Sequence, residues 1–270
     1  MTERAILLIV PGKNDRAFYK AFIAKAFRNK PNIRVNDLDS EEKESRKEYI
    51  LRKILPVSEN SNLIKGTASL EIISEDNNKT VYIIIIPSEI QVIKKTIHFL
   101  NHFLGLEDYK SIVDTIIVID DAEDKSFEER LNSFYDSVAS RIDLGDIIKG
   151  GVYFRCYSLK KPDGLKLLFV VQGLKDINVV EKHALEDFII YVFSNELGRG
   201  PLKPCIDVIK SLKNKNSHKK LALLIVLSKC YTSLDKFFFK SLSKQEIEDL
   251  KEIHDGLNEI INVVQECLTS

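Results

Sequence analysis

The stretch Ile116–Glu129 constrains this chain most. Ile116-Ile117-Val118-Ile119 runs without a polar interruption into Asp120, Asp121, Glu123 and Asp124. A β-branched run with no alternation fits a strand buried on both faces. The four acids then fall just past its carboxyl end, the edge at which open parallel α/β sheets bind ligands. Hard oxygen ligands at this density suit Mg²⁺ or Mn²⁺, which makes Asp120, Asp121, Glu123 and Asp124 candidate metal ligands. The same acids also fit a solvated loop that caps the next helix, with Asp124 or Ser126 as N-cap.

Two further runs read the same way. Ala5–Val10 leads into Pro11-Gly12-Lys13-Asn14-Asp15, a turn sequence. Phe18, Phe22, Ile23, Ala26 and Phe27 then repeat at helical spacing. Strand, turn and helix make half a βαβ unit. It sets Lys13 and Asp15 at the same sheet edge as the acids, although Asp15 also fits an N-cap and Lys13 a solvated turn. Val81–Ile86 is the third buried strand, closed by Pro87.

Between these strands the sequence predicts an exposed, ion-paired helix over Asn36–Ile54, a short strand within Leu63–Ser74, and a helix over Ser88–Leu104 stopped by Gly105. That last helix carries His98 and His102 at i,i+4, with no third ligand in a matching pattern. Phe127–Ile142 reads as a helix, and Gly150-Gly151 as a break. Val152–Leu159 and Leu165–Gln172 read as a hairpin joined through Pro162-Asp163-Gly164.

The composition changes near Val180, which divides the chain into an α/β part, residues 1–178, and a helical part, residues 179–270. Helices are predicted over Glu181–Phe193, Leu202–Leu212, Lys219–Cys230 and Ser243–Leu268. Ser243 and Glu246 spell a capping box. The last helix has an apolar stripe of Ile247, Leu250, Ile253, Leu257, Ile260, Ile261 and Val264. It packs within the chain or on a second copy, a homo-oligomer. The concentrated positive patch is Arg199–Lys220, with Arg199, Lys203, Lys210, Lys213, Lys215, Lys219 and Lys220 against Asp207. It suits DNA or RNA phosphates, or a solvated loop between helices.

The 270 residues carry zero net charge, so a nucleic acid must be met by a local patch. The four cysteines form no CxxC pair, which points to a reducing interior rather than a zinc site. No apolar run approaches the roughly 20 residues of a membrane span. Glu3, Arg4 and Pro11 do not fit a signal peptide, so the expected location is the cytoplasm.

Two segments resemble the Toprim family of topoisomerases, primases and overcoming-lysogenization-defect nucleases. They are Leu7-Leu8-Ile9-Val10-Pro11-Gly12-Lys13-Asn14-Asp15 and Thr115-Ile116-Ile117-Val118-Ile119-Asp120-Asp121-Ala122-Glu123-Asp124. In the family a strand leads to Glu-Gly, often continued by Lys-x-Asp, and a later strand leads to Asp-x-Asp. Gly12, Lys13 and Asp15 match the first motif. Asp121 and Glu123 match the second as Asp-x-Glu, with Asp120 as an alternative anchor. Glu181–Ile189 is similar to a stretch that follows the Toprim core in stand-alone relatives. The resemblance implies a mostly parallel central sheet with helices on both faces, followed by a helical C-terminal region. It also implies metal-dependent phosphodiester chemistry of the kind used in DNA repair or processing.

Pro11 stands where the family has its general acid or base Glu. The resemblance therefore implies one of two states. One is a degenerate site that binds a divalent cation and nucleic acid without cutting. The other is an active nuclease, with Asp121, Glu123 and Asp124 on Mg²⁺ and Asp15 assisting as a catalytic group. A third reading is a non-enzymatic α/β interaction protein whose acids decorate its surface.

Overall fold

The apolar runs become the centre of one sheet. In the computed structural model the strands are β1 (Thr2–Val10), β2 (Ile33–Asp37), β3 (Ala68–Ser74), β4 (Lys79–Pro87), β5 (Val113–Asp121), β6 (Leu144–Gly150), β7 (Phe154–Leu159) and β8 (Lys166–Gln172). The structure describes residues 2–28, 30–40, 43–54, 66–88, 92–105, 112–123, 125–160, 164–174, 184–189, 191 and 234–270. The strand order is β2-β3-β4-β1-β5-β8-β7-β6. The four central strands β4, β1, β5 and β8 are mutually parallel. The flanking pairs β2–β3, β3–β4, β8–β7 and β7–β6 are antiparallel. The sheet is thus mixed and not mostly parallel. The sequence signal for parallel strands, an unbroken apolar run, belongs only to the buried centre.

Alternation along these strands builds two cores. Leu8, Ile83, Ile85, Ile117, Ile119 and Val170 face one side, against α1 (Lys13–Arg28). Leu7, Ile84, Ile86, Ile116, Val118 and Phe169 face the other, against α2 (Glu44–Ile54), α3 (Val92–Gly105) and α4 (Phe127–Ala139). Both faces are covered, so the central strands need no polar side, as their sequences lack one.

The C-terminal helices α5 (Leu234–Ser241), α6 (Lys244–Ile253) and α7 (Asp255–Thr269) join the α1 face. Phe238 of α5 meets Phe18 of α1 edge-on at 5.2 Å. Leu257, Ile260, Ile261 and Val264 of α7 are buried in the chain's own core, so of the two expected uses of the apolar stripe the packing is within the chain. Burying each such side chain stabilises by about 1.5–3 kcal/mol.

Three elements differ from expectation. The sequence predicts one helix over Ser243–Leu268, but the chain breaks at His254. Its backbone is extended there (φ −136°), and its Nδ1 accepts the Leu257 N–H at the start of α7. The break lets α7 turn onto the sheet. Gly256 is required at that turn, because a Cβ would lie 2.7 Å from Val170 Cγ1. Of the helix expected over Asn36–Ile54, Asn36 and Asp37 belong instead to β2, and α2 begins only at Glu44. β6 (Leu144–Gly150) is a strand the sequence does not predict, and it ends at the break expected at Gly150-Gly151. The Ser243–Glu246 capping box is present as expected.

Candidate functional site

The chain leaves β1 toward β4 on one side of the sheet and leaves β5 toward β8 on the other. Adjacent strands with outward connections in opposite directions open a crevice at their carboxyl ends, a topological switch point. Asp15 lies in the first turn after β1, and Asp121 is the last residue of β5. Both predicted catalytic positions therefore reach one crevice.

The central strand is longer than its apolar run suggests. Asp120 and Asp121 are paired in the β5–β8 ladder rather than lying beyond it. Successive side chains in a strand point to opposite faces. Asp121 follows Ile117 and Ile119 to the α1 face, whereas Asp120 follows Ile116 and Val118 to the α4 face. There Asp120 forms a salt bridge with Arg130. Burial still holds its carboxyl above the usual range, against the lowering effect of Arg130. Glu123 sits in a left-handed turn (φ 56°) and is exposed. Asp124 lies outside the described residues. Strand alternation therefore sends Asp120 and Asp121, two of the four expected ligands, to opposite faces of the sheet. Among the described residues no group of three or more His, Cys, Asp or Glu is arranged to hold a metal.

Asp121 instead meets Asp15 through Gln172, the last residue of β8. Gln172 is fully buried. Its Nε2 donates to Asp15 Oδ1 at 2.6 Å and also to Asp121 Oδ1. Its Oε1 accepts from the Tyr19 hydroxyl at 3.0 Å. Asp15 and Tyr19 are four residues apart on α1, so both side chains lie on the same helix face. Gly12 makes room for the pair, since a Cβ there would lie 3.2 Å from Asp15 Oδ2.

Burial is the largest influence on the electrostatics of the site. Burial pushes Asp15 up to about 6, with Glu186 adding to the rise and the Gln172 hydrogen bond opposing it. Asp121 is raised well above the carboxylate range, by burial first and then by the charge of Asp15. Tyr19 is raised by burial and by both carboxylates, so its hydroxyl keeps its proton. Two carboxylates that share one site resist ionising together.

The sequence reading missed Gln172, Tyr19 and Glu186. Glu186 belongs to the helical stretch 185–189, whose Leu185, Phe188 and Ile189 pack in the α1-face core. Its charge acts on both Asp15 and Asp121. Beside it, buried Asp187 accepts the Leu174 N–H at 2.9 Å and ties this stretch to the end of β8. Lys13 is exposed at the crevice rim. Arg199, Lys213, Lys215, Lys219 and Lys220 lie outside the described residues. No helix among the described residues is long and apolar enough to cross a membrane.

Hard carboxylate oxygens suit Mg²⁺ or Mn²⁺, and Mg²⁺ typically uses one or two carboxylates together with waters and phosphates. Asp15 and Asp121 fit that donor set, and a divalent charge would offset their mutual repulsion. No family model matches the chain, and no curated protein and no solved structure matches it either.

Proposed function

We propose that this chain is a Toprim-like protein whose Asp15–Asp121 pair seats Mg²⁺ or Mn²⁺ and engages nucleic-acid phosphate without cutting it. The observation that supports this reading is the convergence of the two carboxylates on Gln172 at the switch point, with no Lys or Arg of the described residues among the charges that chiefly act on Asp121. A bound divalent cation would supply charge to meet a phosphate oxygen. The chain's residues would hold that cation and orient the phosphate, with Lys13 at the rim as a point-charge contact. Cleavage also needs a proton-transfer group, and Pro11, at the family's Glu position, has none.

The runner-up is an active metal-dependent nuclease. It draws support from Asp15, held at about 6 and so poised to exchange a proton near neutral pH.

Calorimetric Mn²⁺ titration of the natural protein and of Asp121→Ala tests the cation seat. Binding by the natural protein and its loss in the variant are expected. Equal binding by both would move the cation elsewhere and sink the reading. Hydrolysis of DNA or RNA by the natural protein, abolished in Asp15→Asn, would favour the runner-up.

A further inference from the structure

The amide of Gln172 occupies the place where a cation would neutralise Asp15 and Asp121. One Nε2 gives a hydrogen to each carboxylate, so the amide acts as a weak internal stand-in for positive charge. Its orientation is set by chemistry. With both carboxyls ionised, turning it the other way would set Oε1 against two carboxylate oxygens, acceptor against acceptor. Tyr19 reinforces this choice from the opposite side, because its hydroxyl donates to Oε1. Tyr19, Gln172 and Asp15 are buried, so water does not readily replace the Tyr19–Gln172 hydrogen bond when it is lost.

We propose that Tyr19 is a positioning residue that latches Gln172 over the carboxylate pair, so that a divalent cation enters only when the amide turns or withdraws. The inference rests on the cation-seat reading above and adds its regulation. In the latched state the pair is internally satisfied and the amide donor faces the seat. When the amide turns, Oε1 faces the cation as a hard oxygen ligand. The Tyr19 hydroxyl must then accept from Nε2, and its own proton loses the acceptor it had. Latch and cation therefore compete for one amide orientation, and the Tyr19 hydroxyl biases the competition against the cation.

The test is Mn²⁺ calorimetry on the full chain, comparing the natural protein with Tyr19→Phe and Gln172→Glu. Removing one buried hydrogen bond corresponds to a shift of about fivefold, so Tyr19→Phe is expected to bind Mn²⁺ about fivefold more tightly. Gln172→Glu replaces the blocking donor with a carboxylate oxygen, and should bind at least about tenfold more tightly. Circular dichroism checks the fold, and if Tyr19→Phe does not fold, Gln172→Glu decides the matter. A second readout is the Gln172 side-chain NH₂ resonance, which should shift on addition of Mg²⁺ to the natural protein. Binding in Tyr19→Phe equal to or weaker than that of the natural protein, with Asp121→Ala still abolishing it, overturns the latch and leaves the seat standing. An unshifted NH₂ resonance at saturating Mg²⁺ does the same. No Mn²⁺ binding by any of the three proteins removes the seat, and the latch with it.

Discussion

Two carboxylate clusters in this molecule use the same residue types and differ in one respect. Around β2, Asp39 accepts from Lys20 at 2.5 Å and from Lys47 at 2.7 Å, and Asp37 also meets Lys20 at 2.8 Å. Nearby Glu71, nearly buried, pairs with Arg46 and accepts from Asn36 Nδ2. Every carboxylate there has a cation from the chain itself. In the crevice between β1 and β5, the partner that Asp15 and Asp121 share among the described residues is a neutral amide. A buried carboxylate with its own cation is a closed account. One without a cation favours a proton or an external cation, which is why the crevice is read as the site and the β2 cluster as structure.

pH separates the two clusters most. Asp15 moves from the ordinary 3.8 up to about 6 in the folded chain. Its folded value lies above its unfolded one, so its stabilising share is full below pH 3.8 and is lost as pH rises through 6. The shift corresponds to about 3 kcal/mol. Urea unfolding of the natural protein, relative to Asp15→Asn, should therefore show the difference fall by about that amount from pH 4 to pH 7. A flat difference would show that the crevice carboxylates are compensated after all.

A smaller effect is expected on the other side. Lys20→Met removes the cation shared by Asp37 and Asp39. Breaking a buried pair costs about 3–5 kcal/mol, reduced here to about 2 kcal/mol because Asp37 is partly exposed and Lys47 stays on Asp39. Urea midpoints measure it. A loss below about 0.5 kcal/mol, the level of exposed pairs, would erase the distinction between the clusters.

The sequence made the centre of the sheet legible and its margins not. Ala5–Val10, Val81–Ile86 and Ile116–Ile119 read as strands because burial on both faces leaves unbroken apolar runs. β2 (Ile-Arg-Val-Asn-Asp) and β6 (Leu-Gly-Asp-Ile-Ile-Lys-Gly) are the outermost strands, and neither presents such a run. Asp15 and Asp121 stand out in the sequence because each follows an apolar strand run at one sheet edge. Asp120 and Asp121 were wrongly placed together, since the apolar run hides that the strand extends through both and turns them to opposite faces. Gln172 gave one unused signal, a polar residue closing the run Leu167–Val171. Its partners lie 157 and 51 residues away, a distance no local pattern spans.

The smallest expected effect has the opposite sign and is the sharpest test of the comparison. Asp121→Asn keeps the shape of the side chain and an oxygen to accept from Gln172, but removes the ionisable carboxyl that competes with Asp15 for charge. Neutralising a compensated carboxylate, as Asp39→Asn would in the β2 cluster, strands its lysines and destabilises. Neutralising an uncompensated one relieves repulsion. Asp121→Asn should therefore raise stability at pH 7 by about 1 kcal/mol, because a like charge in one buried site is removed while the hydrogen bond remains. Urea unfolding of both variants at pH 7 gives the two signs. If Asp121→Asn also destabilises, the crevice is as fully satisfied as the β2 cluster, and its carboxylates hold the fold rather than await a ligand.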